Sequence, residues 1–252
     1  MPWNPDQYNR FKEDRYKPFY DLISHIADKP DMDIVDLGCG TGELTQVLAD
    51  RFSASSVLGI DNSPEMLSKA KNDGRVSFQL KSIEDQLQEP ETWDLILANA
   101  SLQWTDDHPT LFNRLIGKLN NDGQLAVQMP SQTENLLNRI LLGLVQETPY
   151  REALHGWVRH SPVLTLDEYT NILFSNGGRD LAIYQKVYPI VAQSPDELYA
   201  FIAGSALIPY MEHLDPSMQK ELESEFRRRI AKEFPNHPAV YAFKRLVLYA
   251  RF

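Results

Sequence analysis

Short apolar runs alternate with longer amphipathic stretches along the first half of the chain. Ile34–Leu37, Val57–Ile60, Val76–Leu80, Leu95–Ala98 and Leu125–Gln128 have the length and composition of buried strands. Helical spacing fills the intervals, and an N-terminal helical region is expected from Pro5 to about Ile26. Asp122-Gly123 reads as the turn ahead of the fifth strand. Such alternation predicts an α/β fold: a parallel sheet covered on both faces, with ligands at the C-terminal strand ends. Past Pro130 the pattern changes. Helices are expected over Glu134–Glu147 and Asp167–Ser175, then a strand over Leu181–Tyr188. Two more helices follow, over Asp196–Ala206 and Pro216–Phe234, joined through Ile208–His213, and Lys244–Phe252 is the last strand. The stretch between the last two strands is too long for a hairpin and is expected to cap the ligand end.

Candidate chemistry enters with Asp36-Leu37-Gly38-Cys39-Gly40-Thr41-Gly42, directly behind the first strand. Glycine permits a tight strand-to-helix turn and lets a ligand approach the main chain at the helix N-terminus. Val57-Leu58-Gly59-Ile60 then ends in Asp61, where an open α/β sheet places the carboxylate that accepts from ribose hydroxyls. A dinucleotide fingerprint would need glycine at position 43, which is Glu43, and no lysine-bearing triphosphate loop occurs. What remains resembles the D-x-G-x-G-x-G loop of class I methyltransferases, whose ligand, S-adenosylmethionine, has no phosphate and carries an ammonium and a sulfonium.

Composition narrows the partners. The chain has 252 residues, 42% of them hydrophobic, enough for one large core. Its net charge of −10 disfavours nucleic acid, and Arg227-Arg228-Arg229 with Lys232 is the one compact basic run. Cys39 is the single cysteine, better read as a small filler than a nucleophile. The histidines, His25, His108, His155, His160, His213 and His237, lack metal-ligand spacing, so no metal is expected. With no apolar leader and no membrane-length run, a cytoplasmic monomer without membrane contact is expected.

Trp3-Asn4-Pro5, Tyr8, Phe11, Arg15 and Pro18, the glycine loop, Gly59-Ile60-Asp61 with Ser63-Pro64 and Met66, Asp94-Leu95-Ile96, Ala98–Trp104, Asp107-His108 and Leu125–Pro130 together resemble the trans-aconitate 2-methyltransferase family. The likeness runs from Trp3 to Pro130 and thins beyond. It implies a Rossmann-like fold, a mostly parallel seven-stranded sheet with an antiparallel last strand plus helical cap insertions. It also implies one methyltransferase domain over 1–252. A helical lid would cover 1–30, a cofactor core 31–130, a helical connection 131–180 and an inserted cap 190–240. The implied reaction is methyl esterification of a small polycarboxylic acid.

An acid with a pKa near ~4 is already an anion at neutral pH, so no catalytic base is required. In place of the [DN]-P-P-[YF] motif of amino-group methyltransferases the chain has Asn99-Ala100-Ser101-Leu102. For the cofactor, Gly38, Gly40 and Gly42 are expected beneath the methionine moiety, Asp36 toward its ammonium and Asp61 at the ribose. Asn62 and Met66 flank the adenine. Ser82 and Ile83 replace the family's usual acid, with Glu84 a weaker stand-in. Asn99 offers its carbonyl, and Tyr8 and Arg15 belong to the lid. Gln103, Trp104 and Tyr210 are expected to position the acceptor. Ile208 stands where the family has a cap arginine; Arg151, Arg159, His160 and Arg179 are candidates to compensate. Two other readings are a malonyl-carrier-protein O-methyltransferase, docking its acidic carrier on Arg227–Lys232, and a non-catalytic S-adenosylmethionine-binding module.

Overall fold

The computed structural model describes residues 12–252, with side chains from Tyr16 onward; Tyr8 and the Arg15 side chain lie outside what it describes. Seven strands form one sheet: β1 (Asp33–Leu37), β2 (Ser56–Asp61), β3 (Val76–Leu80), β4 (Trp93–Asn99), β5 (Leu119–Pro130), β6 (Arg179–Ala192) and β7 (Ala239–Arg251). Their order is β3-β2-β1-β4-β5-β7-β6. The pairs β2–β3, β1–β2, β1–β4 and β4–β5 are parallel, whereas β7 runs antiparallel to β5. This is the mostly parallel sheet that the strand–helix alternation predicts. A crossover connection is needed between parallel neighbours, and helices supply it.

The described residues divide into two compact units. The sheet unit holds 18–130, 162–186 and 245–252; the helical unit holds 131–161 and 187–244 together with the described residues up to Lys17.

In the sheet unit β1 is buried on both faces, as parallel strands are. Ile34, Leu95, Leu97, Ala126, Val247 and Tyr249 meet Phe19 and Leu22 of α1 (Lys12–Ile23) and Leu48 of α2 (Glu43–Arg51). On the other face Val35, Ile96, Val127 and Leu248 meet Leu111 and Phe112 of α5 (His108–Ile116) and Tyr169 and Leu173 of α8 (Leu166–Ser175). Between them in sequence come two short helices, α3 (Pro64–Leu67) and α4 (Ile83–Gln86). One expectation is corrected here. Asp122-Gly123 lies inside β5, with Asp122 at φ 63 and a register shift against β4, rather than in a turn before the strand. An αL residue lets a strand absorb such a kink as a bulge.

In the helical unit, α6 (Leu136–Val145), α7 (Tyr150–Ala153), α9 (Pro195–Ala203), α10 (Ile208–His213) and α11 (Pro216–Glu233) enclose a separate core. Its members Leu137, Leu141 and Leu144, Leu198 and Ile202, and Leu222, Phe226 and Ile230 repeat at helical spacing. Asp215 caps α11 by accepting from the Ser217 and Met218 N–H groups. Ile208–His213, expected as a linker, is helical because Pro209 at the first turn suits a helix start. Among the described residues no helix is long and apolar enough to cross a membrane.

Candidate cofactor and acceptor site

The glycine loop is tied to the end of β2. Gly38 and Cys39 both donate to the Ile60 carbonyl at 2.8 Å, and the Asp61 carboxylate accepts from Gly40 N–H and Ser63 N–H at 2.9 Å each. All three loop glycines have positive φ, but their surroundings differ. A Cβ on Gly38 would stand 2.4 Å from Cβ of Ser101, whose hydroxyl donates to the Leu37 carbonyl at 2.5 Å. One on Gly42 would meet the Phe78 ring at 2.5 Å. One on Gly40 would meet nothing of the described residues within 4 Å. Two glycines thus make room for the protein's own side chains, and Gly40 faces open space a ligand can take. Cys39 is half-buried, and burial pushes its thiol far above the ordinary range, as suits a filler.

Asp36 lies under the loop, 3% exposed, its Oδ2 accepting from the Thr45 hydroxyl at 2.7 Å. Burial pushes its carboxyl from 3.8 up to about 6; the Thr45 bond opposes the shift and the Asp61 charge adds to it. A cation placed against this carboxylate would stabilise its charged form. Asp61 is partly exposed, and each of its oxygens has a lone pair to spare beyond the backbone bonds. Next to it, Ser63 caps α3 by accepting from Met66 N–H; Asn62 is exposed, and Met66 is 45% exposed. At the end of β3, Ser82 caps α4 by accepting from Asp85 N–H at 3.0 Å, with Ile83 half-buried and Glu84 turned to solvent. An open Gly40, two carboxylates and no lysine at the loop fit S-adenosylmethionine, with its cationic head and ribose hydroxyls, better than any phosphate ligand.

At the end of β4, Asn99 carries a buried Oδ1 with no hydrogen-bond partner among the described residues. Ala100 follows at φ 59, its N–H bonded to the Gln128 carbonyl at 2.8 Å. The chain then makes one 3₁₀ turn, Leu102–Trp104. Gln103 is buried and donates to the Ala100 carbonyl at 2.6 Å, while Trp104 is 42% exposed. Behind the turn His108 has both ring nitrogens engaged, Nδ1 with the Tyr169 hydroxyl at 2.5 Å and Nε2 with the Leu102 carbonyl at 2.9 Å. Burial lowers its pKa, so it stays neutral and structural.

Arg179 aside, the other expected residues belong to the helical unit. Tyr210 is buried in the helical unit, edge-on to Trp157 at 5.5 Å, its hydroxyl bonded to the Arg159 main chain. Its ring belongs to the core of that unit. Ile208 is 46% exposed, and Arg151 and His160 are exposed in the same unit. Arg179 pairs with Asp122 at 2.6 Å, at the N-terminal end of β5 and so at the opposite end of the sheet from the glycine loop. Among the described residues no group of histidine, cysteine, aspartate or glutamate is arranged to hold a metal. Sequence reasoning missed Gln128 and Arg245, which are bonded to each other across β5 and β7. The available signal was a glutamine inside the apolar run Leu125–Met129.

Residues 28–176 match the family described as a methyltransferase domain. The chain is 38% identical to the trans-aconitate 2-methyltransferase of Deinococcus radiodurans, over 99% of this chain and 98% of that protein. It is 30% identical to the trans-aconitate 2-methyltransferase of Variovorax paradoxus, over 100% and 98%. Among solved structures, the YcgJ protein of Bacillus subtilis aligns with a TM-score of 0.59 at 14% identity, covering 94% of this chain and 98% of that one. A phosphoethanolamine N-methyltransferase of Haemonchus contortus, solved with S-adenosylhomocysteine, aligns with a TM-score of 0.56 at 17% identity. The alignment covers 93% of this chain, which spans about half (52%) of that enzyme. At these identities the solved structures speak for the fold.

Proposed function

This chain belongs to the trans-aconitate 2-methyltransferase family of class I S-adenosylmethionine-dependent enzymes, and from that premise we propose that it esterifies one carboxylate of a small polycarboxylic acid, trans-aconitate or a relative. Bound S-adenosylmethionine supplies an electrophilic methyl on a sulfonium. Asp36 and Asn99 would meet its amino-acid end, Gly40 would lie against it, and Asp61 would accept from the ribose. Asn62, Met66, Ser82 and Ile83 would border the adenine. Gln103 and Trp104 would form the acceptor wall.

The observation that carries the acid acceptor is the state of His108. The histidine directly behind the acceptor turn spends both nitrogens on holding that turn, and burial keeps it neutral. An alcohol or amine acceptor would call for a base here. An ionised carboxylate needs only placement in line with the methyl and exclusion of water, worth roughly 7–11 kcal/mol. Esterification of a malonyl-carrier protein is disfavoured by the charges of α11. Arg227 binds Glu223 and Asp196 and stacks over Tyr199; Arg228 binds Glu225; Arg229 binds Glu147 and Glu225. A run neutralised by its own neighbours offers little to an acidic partner.

The test is a methyl-transfer screen over di- and tricarboxylic acids, with a malonyl-carrier protein as a separate acceptor. Turnover is expected on a free acid, with saturated rates flat through neutrality. A steep fall between about pH 8 and 6 would instead reveal a titrating base and an alcohol or amine acceptor.

A further inference from the structure

We propose that Gln128 and Arg245, with Asn99 beside them, form a buried carboxylate-binding subsite at the C-terminal end of β5. Two glutamines interrupt one face of this strand, Gln124 and Gln128, and both are 0% exposed. Gln124 is fully used. Its Oε1 accepts from Ala27 N–H at 2.7 Å and from the Tyr249 hydroxyl at 2.6 Å, and its Nε2 donates to the Ala27 carbonyl at 3.1 Å. Gln128 is used by half. Its Oε1 accepts from Arg245 Nη1 at 2.6 Å, while its Nε2 has no partner among the described residues. Because a guanidinium only donates, the Arg245 bond fixes which way the carboxamide faces and turns the NH₂ group away.

Asn99 is the register partner of Gln128, so their side chains share a face of the sheet. Its Oδ1 is likewise buried and unpartnered, so an orphan donor and an orphan acceptor lie on neighbouring strands without bonding each other. Leaving one such group buried is costly, and native proteins keep few. An amide NH₂ held in a fixed direction, in the positive field of the guanidinium that orients it, suits an oxygen of a carboxylate. The Asn99 oxygen then suits an ammonium or hydroxyl adjacent to that carboxylate. Two ligands of this reaction carry the chemistry: the methionine end of S-adenosylmethionine and the acid acceptor. The acceptor source rests on the function proposed above; the cofactor source does not.

Gln128→Met removes the amide at similar volume, and Gln128→Glu keeps an acceptor for Arg245 while replacing the free donor with an anion. Arg245→Lys keeps the charge without the fork. Each is read by thermal midpoint, by calorimetric affinity for S-adenosylhomocysteine, and by acceptor KM at saturating cofactor. We expect folded variants in which Gln128→Glu weakens one ligand by about tenfold or more. Loss of S-adenosylhomocysteine affinity assigns the subsite to the cofactor, and a raised acceptor KM alone assigns it to the acid. Gln124→Met, the matched control, should lower the thermal midpoint and leave both affinities intact. If both Gln128 variants fold and hold both ligands within about twofold of wild type, the pair is merely a brace between strands and the proposal fails. Should the wild type esterify no carboxylic acid, the functional reading falls, and S-adenosylhomocysteine affinity alone decides the subsite.

Discussion

The two ends of the sheet are built on opposite terms. At the N-terminal end of β5, Asp122 takes Lys29, Arg179 and Arg251, and Arg251 also takes Asp180. Close by, Asp94 accepts from Asp33 N–H at 2.9 Å and from the Asn120 amide at 3.0 Å. Polar groups there meet one another. At the C-terminal end, among the described residues, Asn99 and Gln128 keep buried polar atoms without partners, Asp36 is a carboxylate sealed under a loop, and Gly40 looks onto open space. At one end the charged groups pair mainly within the protein; at the other, buried polar atoms and open space are what the proposed ligands would use. Parallel strands make the difference possible, because all their carboxyl ends open on one side.

The sharpest way to break this contrast is inside the glycine loop itself. Gly38→Ala must strain a residue at φ 77 and drive a methyl into Ser101, so it should lose about 2–5 kcal/mol of stability. Gly40→Ala meets no neighbour and should lose only the backbone strain, about 1–2 kcal/mol, yet weaken S-adenosylhomocysteine binding. Denaturant unfolding and calorimetry separate the two, and equal stability losses would erase the distinction between them.

A smaller effect should come from Asp36. Its folded carboxyl titrates at about 6 against 3.8 for the ordinary group, so the folded state holds the proton more tightly. The penalty for burying the charge is absent below pH 3.8 and complete above about 6. Stability should therefore fall as pH rises through that window, by about 3 kcal/mol from this group. Asp36→Asn should flatten the slope in unfolding measurements at pH 4 to 6; an unchanged slope would mean the carboxyl is not sealed.

The least effect is expected at the N-terminal end of β5. Hydrogen bonds from Lys29, Arg251 and Arg179 hold Asp122 well below the usual carboxylate range, so its contribution is present above that range and lost as pH falls through the depressed value. The group is only partly buried, and Asp122→Asn should lower the thermal midpoint slightly, less so at about 1 M salt, where screening reaches about 3 Å. Cofactor affinity should not change. A loss of affinity would put function at both ends of the sheet.

Much of this molecule was legible in its chain because the signals are local. Apolar runs bounded by turns located the core strands, since a parallel strand must be buried along its whole length. The glycine loop and Asp61 were readable because a tight turn and a strand-end carboxylate depend on residues close in sequence. Other features depend on which distant segment arrives alongside. Glycines at 38 and 42 are demanded by Ser101 and Phe78, brought in from beyond the end of β4 and from the middle of β3. His108 is spent on Tyr169, 61 residues away, and Tyr210 points inward because the helices of its own unit surround it. Gln128 meets Arg245 across 117 residues, through the antiparallel pairing of β5 with β7. Periodicity says that a position is buried. Only the packed sheet decides whether a buried polar atom there finds a partner or is left for a ligand.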